Sequence, residues 1–174
     1  KKIIDKINLQ YLKEEVINKT IITKNRGKIN EGNIIVLLSP ISKKSFDNFY
    51  KSILSQNYEK NCWWGFKEGN TYKYIYKNLK KNDIIIFIET NFITLCNIIE
   101  TKIDEDIAER LWNDKKYKYT IKMKLIKRIK INKKEFLKNL GYKETDNLMA
   151  NRIFNFEKYN KKYMFECINK YGEK

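Results

Sequence analysis

The stretch Asn61-Cys62-Trp63-Trp64-Gly65-Phe66 sets two of the chain's three tryptophans side by side and follows them with a glycine. Indole rings can stack on a flat ligand, and a glycine lets backbone approach it closely. The same residues could serve as core aromatics at a strand end. Successive strand residues point to opposite faces, so Trp63 and Trp64 should divide, one inward and one toward a groove. Competing chemistries lack their parts. With no histidine, Ser-His-Asp and Cys-His devices are excluded. No GxxxxGK[ST] loop or GxGxxG turn offers a cradle for a nucleotide cofactor. The acidic pairs, Glu14-Glu15 and Asp104-Glu105-Asp106, read as a solvated helix face and a helix start. Cys62, Cys96 and Cys167 are widely spaced without a CxxC pair, so zinc would need all three plus a carboxylate. The expectation is a binding module, not an enzyme, with no metal or cofactor.

Lys and Arg number 37 against 21 Asp and Glu, a formal charge of +16. That balance favours polyanionic partners, nucleic acid first. A general Ile/Asn/Lys bias supplies part of it. The three cysteines suggest no disulfide framework and a reducing compartment. Neither a signal-peptide hydrophobic stretch nor an apolar run of the ~20 residues needed to span a membrane is present. A soluble, cytoplasmic protein without membrane contact is therefore expected.

The elements that would position these residues follow from periodicity. Ile3, Ile4, Ile7, Leu12, Val16 and Ile17 predict an amphipathic helix over 2–19. "NIIVLLSP" (33–40) reads as a buried strand. Phe46, Phe49, Tyr50, Ile53 and Leu54 predict a helix capped by Ser42 or Ser45. "NCWWGF" is a short strand, and "GNTYKYIYKNLKKND" a helix or irregular segment ending in an Asn82-Asp83 turn. "IIIFIETN" (84–91) is a central strand with "FITLCNIIETKI" as its hairpin partner, and Phe92 is a core or pocket-mouth aromatic. "DEDIAERLW" predicts a helix. "YKYTIKMKLIKRIKI" (117–131) alternates, with Lys118, Lys122 and Lys124 on its open side. Its parity changes near Ile126 or Lys127, predicting a bulge. A helix stopped by Gly141 follows, then a loop and a final helix with Phe156, Tyr159, Tyr163 and Ile168 on its face. Close strand spacing argues against repeated parallel crossovers. The sum is an α+β domain over 31–154, between helical segments 1–30 and 155–174.

In this order, "LLSPISKKSFDNFYKSI", "WWGF", "LKKNDIIIFIETNFITLCNIIETK" and "IAERLWNDKKYKYTIKMKLIKRIKI" resemble the PUA-like group that contains EVE and YTH domains. The likeness is closest to the EVE/YTH-like N-terminal DNA-binding domains of McrB-type, modification-dependent restriction systems. It covers residues 33–142, about two-thirds of the chain, and rests on the conjunction of "WWGF", "KKNDIIIFI", "AERLW" and "NLGY". The resemblance implies a PUA-like curved sheet or small barrel flanked by helices. It also implies a methylated base flipped into an aromatic cage, N6-methyladenine before 5-methylcytosine. Trp64, with Trp63 beside it, matches the Trp of the family's Trp-Gly word, and Gly65 or Phe66 would offer a backbone amide to the base edge. Trp112 would be a second wall. Ser39, Pro40, Ile41 and Ser42 occupy the corner that makes polar contacts, with Ser-Pro where an asparagine-bearing word is usual. Arg152 in "ANRIF" matches a phosphate-binding arginine. Phosphate contacts are otherwise expected from Lys118, Lys122 and Lys124 and, beyond the bend, from Lys127, Arg128 and Lys130. The GTPase and nuclease parts would lie elsewhere on the polypeptide or on a partner subunit. The alternatives are a PUA-type RNA reader and a plain protein-interaction domain.

Overall fold

The computed structural model describes residues 34–55 and 61–171. The helix expected over 2–19, with the segment 1–30, lies outside the described residues. Six strands form one mixed sheet: β1 (Val36–Pro40), β2 (Asn61–Phe66), β3 (Ile84–Ile88), β4 (Phe92–Ile103), β5 (Tyr119–Lys130) and β6 (Arg152–Ile153). Their spatial order is β2-β5-β4-β3-β1-β6. β1 and β3 run parallel, and every other neighbouring pair is antiparallel. The helices are α1 (Phe46–Phe49), α2 (Asn70–Tyr74), α3 (Glu105–Trp112), α4 (Lys133–Asn139) and α5 (Lys161–Tyr171). The fold is α+β, as the order of elements predicts.

The unbroken apolar runs of β1 and β3 follow from burial on both faces. Leu37, Ile85 and Phe87 pack with Phe49 and Ile53 in one layer. Val36, Leu38, Ile84, Ile86 and Ile88 pack with Phe136, Leu137 and Met164 in the other. A buried carboxylate joins the parallel strands β1 and β3 at their starting ends. Asp83 accepts the N–H of Ile35 at 3.0 Å and that of Lys80 at 2.9 Å. The turn leading into it needs Asn82 at φ +75°, a conformation asparagine tolerates.

The predicted parity change in β5 is a bulge at Ile126. Leu95 pairs with Lys127 but Cys96 pairs with Leu125, so Ile126 is left unpaired. Tyr119, Ile121, Met123 and Leu125 therefore face the first layer, whereas Ile126 and Ile129 pack against the second. The predicted β3–β4 hairpin forms with Thr90 and Asn91 at its turn. The helix expected after β1 forms over the predicted residues, α1 continuing directly into a π-helical turn over Tyr50–Leu54. It is preceded by a reciprocal serine pair: Ser45 N–H donates to Ser42 Oγ at 3.3 Å, and Ser42 N–H donates to Ser45 Oγ at 3.1 Å.

Three features depart from the sequence reading. β1 and β3 form a parallel pair, linked by a crossover that contains α1, β2 and α2. The presumed loop before the last helix contains β6, which pairs with Leu37 and Leu38. α5 starts at Lys161, so Phe156 and Tyr159 precede it, although both still pack in the second layer. Cys62, Cys96 and Cys167 are all buried, each as a thiol outside any disulfide. Burial, then proximity to Cys62, pushes the Cys96 thiol well above its ordinary range. Among the described residues no helix is long and apolar enough to cross a membrane, and no cluster of three or more metal-ligating side chains occurs.

Candidate ligand clefts at the end of β1

β2 runs antiparallel to β5, which places Trp64 opposite Ile121 and Trp63 opposite Lys122. Trp64 is half-buried and anchored by three rings. Its centroid lies 5.4 Å from Phe87, 6.2 Å from Phe49 and 6.4 Å from Trp112, each edge to face. The inner edge of Trp64 packs on the core, and the residue also lines a cleft. Trp63 takes the opposite face, where Lys122 Nζ sits 5.7 Å above its ring.

The cleft beside Trp64 has a volume of about 350 Å³, at the small end of the ~300–1,000 Å³ common for small-molecule pockets. Ser39 and Pro40 at the end of β1, Ser45 before α1, Gly65, Phe66 and Tyr117 line it with Trp64, and Asn151 closes it. Lys67 stands at the rim, with Nζ 4.5 Å from the Tyr117 ring centroid and 3.6 Å from Asp114. Tyr117 first and Asp114 after it hold the Lys67 ammonium above its ordinary pKa. Asn151 Oδ1 is buried with no hydrogen-bond partner among the described residues. An orphaned carbonyl of this kind costs about 1–3 kcal/mol until a donor reaches it. Rotation about the terminal bond of the side chain presents one or the other end of the amide to the cleft.

α3 decides where Trp112 goes. Asp104 caps the helix by accepting the N–H of Ile107 at 2.9 Å, and Asn113 ends it in the left-handed conformation at φ +53°. Trp112 is thereby laid against Gly65. A Cβ on that glycine would stand 2.6 Å from Trp112 Cζ3 and would also strike the carbonyl of Tyr117. The glycine is needed for this internal approach. Trp112 is buried and perpendicular to Trp64, so the two indoles meet as a corner and not as facing walls.

The remaining predicted base contacts lie elsewhere. Ile41, Ser42 and Phe92 line a second cleft of about 330 Å³, with Lys43, Phe46, Glu89, Thr90 and Asn91. The expected single pocket is thus divided: Ser39, Trp64, Gly65 and Phe66 gather at the first cleft, and Ile41, Ser42 and Phe92 at the second.

The expected phosphate contacts are also dispersed. Lys118 pairs with Glu105 at 3.7 Å, Lys122 covers Trp63, and Lys124 is exposed on β5. Arg128 is engaged within the fold, its guanidinium 3.9 Å from the Phe92 ring centroid and two of its contacts to Glu89 at 3.0 Å. Arg152 lies on β6, at the other edge of the sheet from β2 and β5, 5.7 Å from the Tyr142 ring. Pro40, expected at the polar corner, lines the first cleft with Ser39, whereas nothing in the sequence marks Ser45, Lys67, Tyr117 or Asn151 as site residues. Asn151 precedes a two-residue strand, which carries no readable period.

No protein-family model and no curated protein matches the chain.

Proposed function

We propose that the cleft beside Trp64 receives a methylated nucleobase flipped out of DNA, N6-methyladenine in preference to 5-methylcytosine. In this reading the domain is a PUA-like reader that targets a modification-dependent restriction complex. Its GTPase and nuclease are supplied elsewhere on the polypeptide or by a partner. The observation that carries the reading is the pairing, in one cleft, of a half-buried indole with an amide whose carbonyl lacks a donor. The indole supplies a stacking surface worth about 1–3 kcal/mol per base. Burial of the methyl group adds roughly 0.8 kcal/mol, or about a fourfold preference. N6-methyladenine keeps one exocyclic N–H, which can satisfy Asn151. Flipping costs a few kcal/mol, and the +16 charge offsets part of that through phosphate contacts.

The test is a binding series on one short duplex carrying adenine, N6-methyladenine, N6,N6-dimethyladenine or 5-methylcytosine, with a single-stranded RNA counterpart. N6-methyladenine should bind best. The dimethyl base, larger but without the N–H, should lose that advantage in the wild type, and Asn151→Ala should narrow the gap between the two methylated forms. Preference for the RNA would reassign the domain to RNA reading. Equal affinity for every ligand would refute recognition of a modified base.

A further inference from the structure

The loop between β1 and α1 is a partition with a cleft on each side. Pro40 and Ser45 line the Trp64 cleft, and their chain neighbours Ile41 and Phe46 line the second. Consecutive Cα atoms lie about 3.8 Å apart, so the wall is one residue thick. It is also stiff. Ile41 N–H donates to the Ile88 carbonyl at 2.8 Å, and the Ser42–Ser45 exchange braces the next turn.

The second cleft offers what a nucleotide requires. Phe46 leaves 39% of its surface exposed, and Phe49 and Tyr50 support it, each with its ring centroid 6.4 Å away. Lys43, in the same lining, supplies a cation. The one carboxylate of the lining, Glu89, is neutralised by Arg128 at 3.0 Å and does not repel a phosphate with its full charge. Asp47 is exposed on the first turn of α1 and is the nearest unlined acidic neighbour in sequence.

We propose that the second cleft holds the nucleotide adjacent to the methylated one on the same strand. Its base stacks on Phe46, and the linking phosphate crosses the partition at Lys43. This rests on the reading of the Trp64 cleft and extends it: the ligand is a strand opened over two successive nucleotides, not a single extruded base in an otherwise closed duplex.

The test uses the full chain and a five-nucleotide single strand with a central N6-methyladenine, followed by fluorescence anisotropy. Two further strands carry an abasic site immediately 5′ or 3′ of the methylated base. One of them should bind about tenfold more weakly than the intact strand, the loss of one stacked base. Phe46→Ala should weaken the intact strand by a similar factor and leave the affected abasic strand unchanged, and Phe46→Tyr should restore the difference. Lys43→Ala, on an exposed turn, should weaken all three strands alike. The proposal is overturned if both abasic strands bind as the intact one does, or if the Phe46→Ala and abasic losses multiply. Discrimination between methylated and unmodified central adenine by the wild type reports on the Trp64 cleft alone, so failure of that reading is seen separately.

Discussion

Trp112 meets Trp64 edge to face, with ring centroids 6.4 Å apart and planes inclined at 78°. Perpendicular rings at that distance touch and leave no slot for a base between them. Trp112 is therefore a buttress that holds Trp64 from behind, and the open side of Trp64 is the side lined by Ser39, Pro40 and Ser45. Recognition of a base in this cleft needs only one stacking wall, together with the polar reach of Asn151.

The buttress depends on Gly65. Gly65→Ala forces a methyl group against Trp112 and the Tyr117 carbonyl, and the carbonyl belongs to backbone that cannot swing aside. Overpacking of this kind costs about 1–3 kcal/mol. Urea unfolding should show a lower midpoint with an unchanged slope. A variant as stable as the wild type would mean that the helix end carrying Trp112 moves freely.

Arg128 and Lys124 lie on one strand but should behave differently. Lys124 is exposed, so Lys124→Ala should reduce the slope of log affinity against log salt by about 1. Arg128 is held by Glu89 and Phe92, so Arg128→Ala should leave that slope in place and lower stability by about 1 kcal/mol. A salt titration of both variants, with their thermal midpoints, separates the two roles. The reverse pattern would place Arg128 on phosphate.

Alkaline stability should report on the first core layer. Burial, more than any other influence, pushes the Tyr76 phenol from 10.0 to about 12, and its hydroxyl donates to the Thr120 carbonyl at 3.2 Å. The folded state holds this proton more tightly than the unfolded state. The resulting stability is full below the unfolded value of about 10 and is lost as pH rises through about 12, a contribution of about 3 kcal/mol. Unfolding free energies from about pH 9 upward should fall in the wild type and stay flatter in Tyr76→Phe.

Much of this arrangement is legible in the residues. Strict alternation up to Leu125 gives β5 its buried face, and two apolar neighbours at Leu125 and Ile126 betray the bulge. The runs of β1 and β3 announce burial on both sides. What escapes the sequence is set by tertiary placement. Glu89 and Arg128 are 39 residues apart and meet only because β3, β4 and β5 are neighbours. The orientation of Trp112 depends on where Asn113 ends α3. Asn151 reaches the cleft because β6 pairs with β1, a contact too short to leave a pattern. The division of the predicted pocket into two clefts follows from the stiffness of the Ser42–Ser45 turn, which residue types alone do not reveal.

Tryptophan emission tests directly the claim that a methylated base stacks on Trp64. The chain has three tryptophans, so a Trp63→Phe, Trp112→Phe protein retains Trp64 as its sole indole. Titration with a short strand carrying N6-methyladenine should quench that emission with the same midpoint as binding measured by anisotropy, while the unmodified strand quenches little at equal occupancy. Binding of the methylated strand without quenching, or equal quenching by both strands at equal occupancy, would contradict the claim.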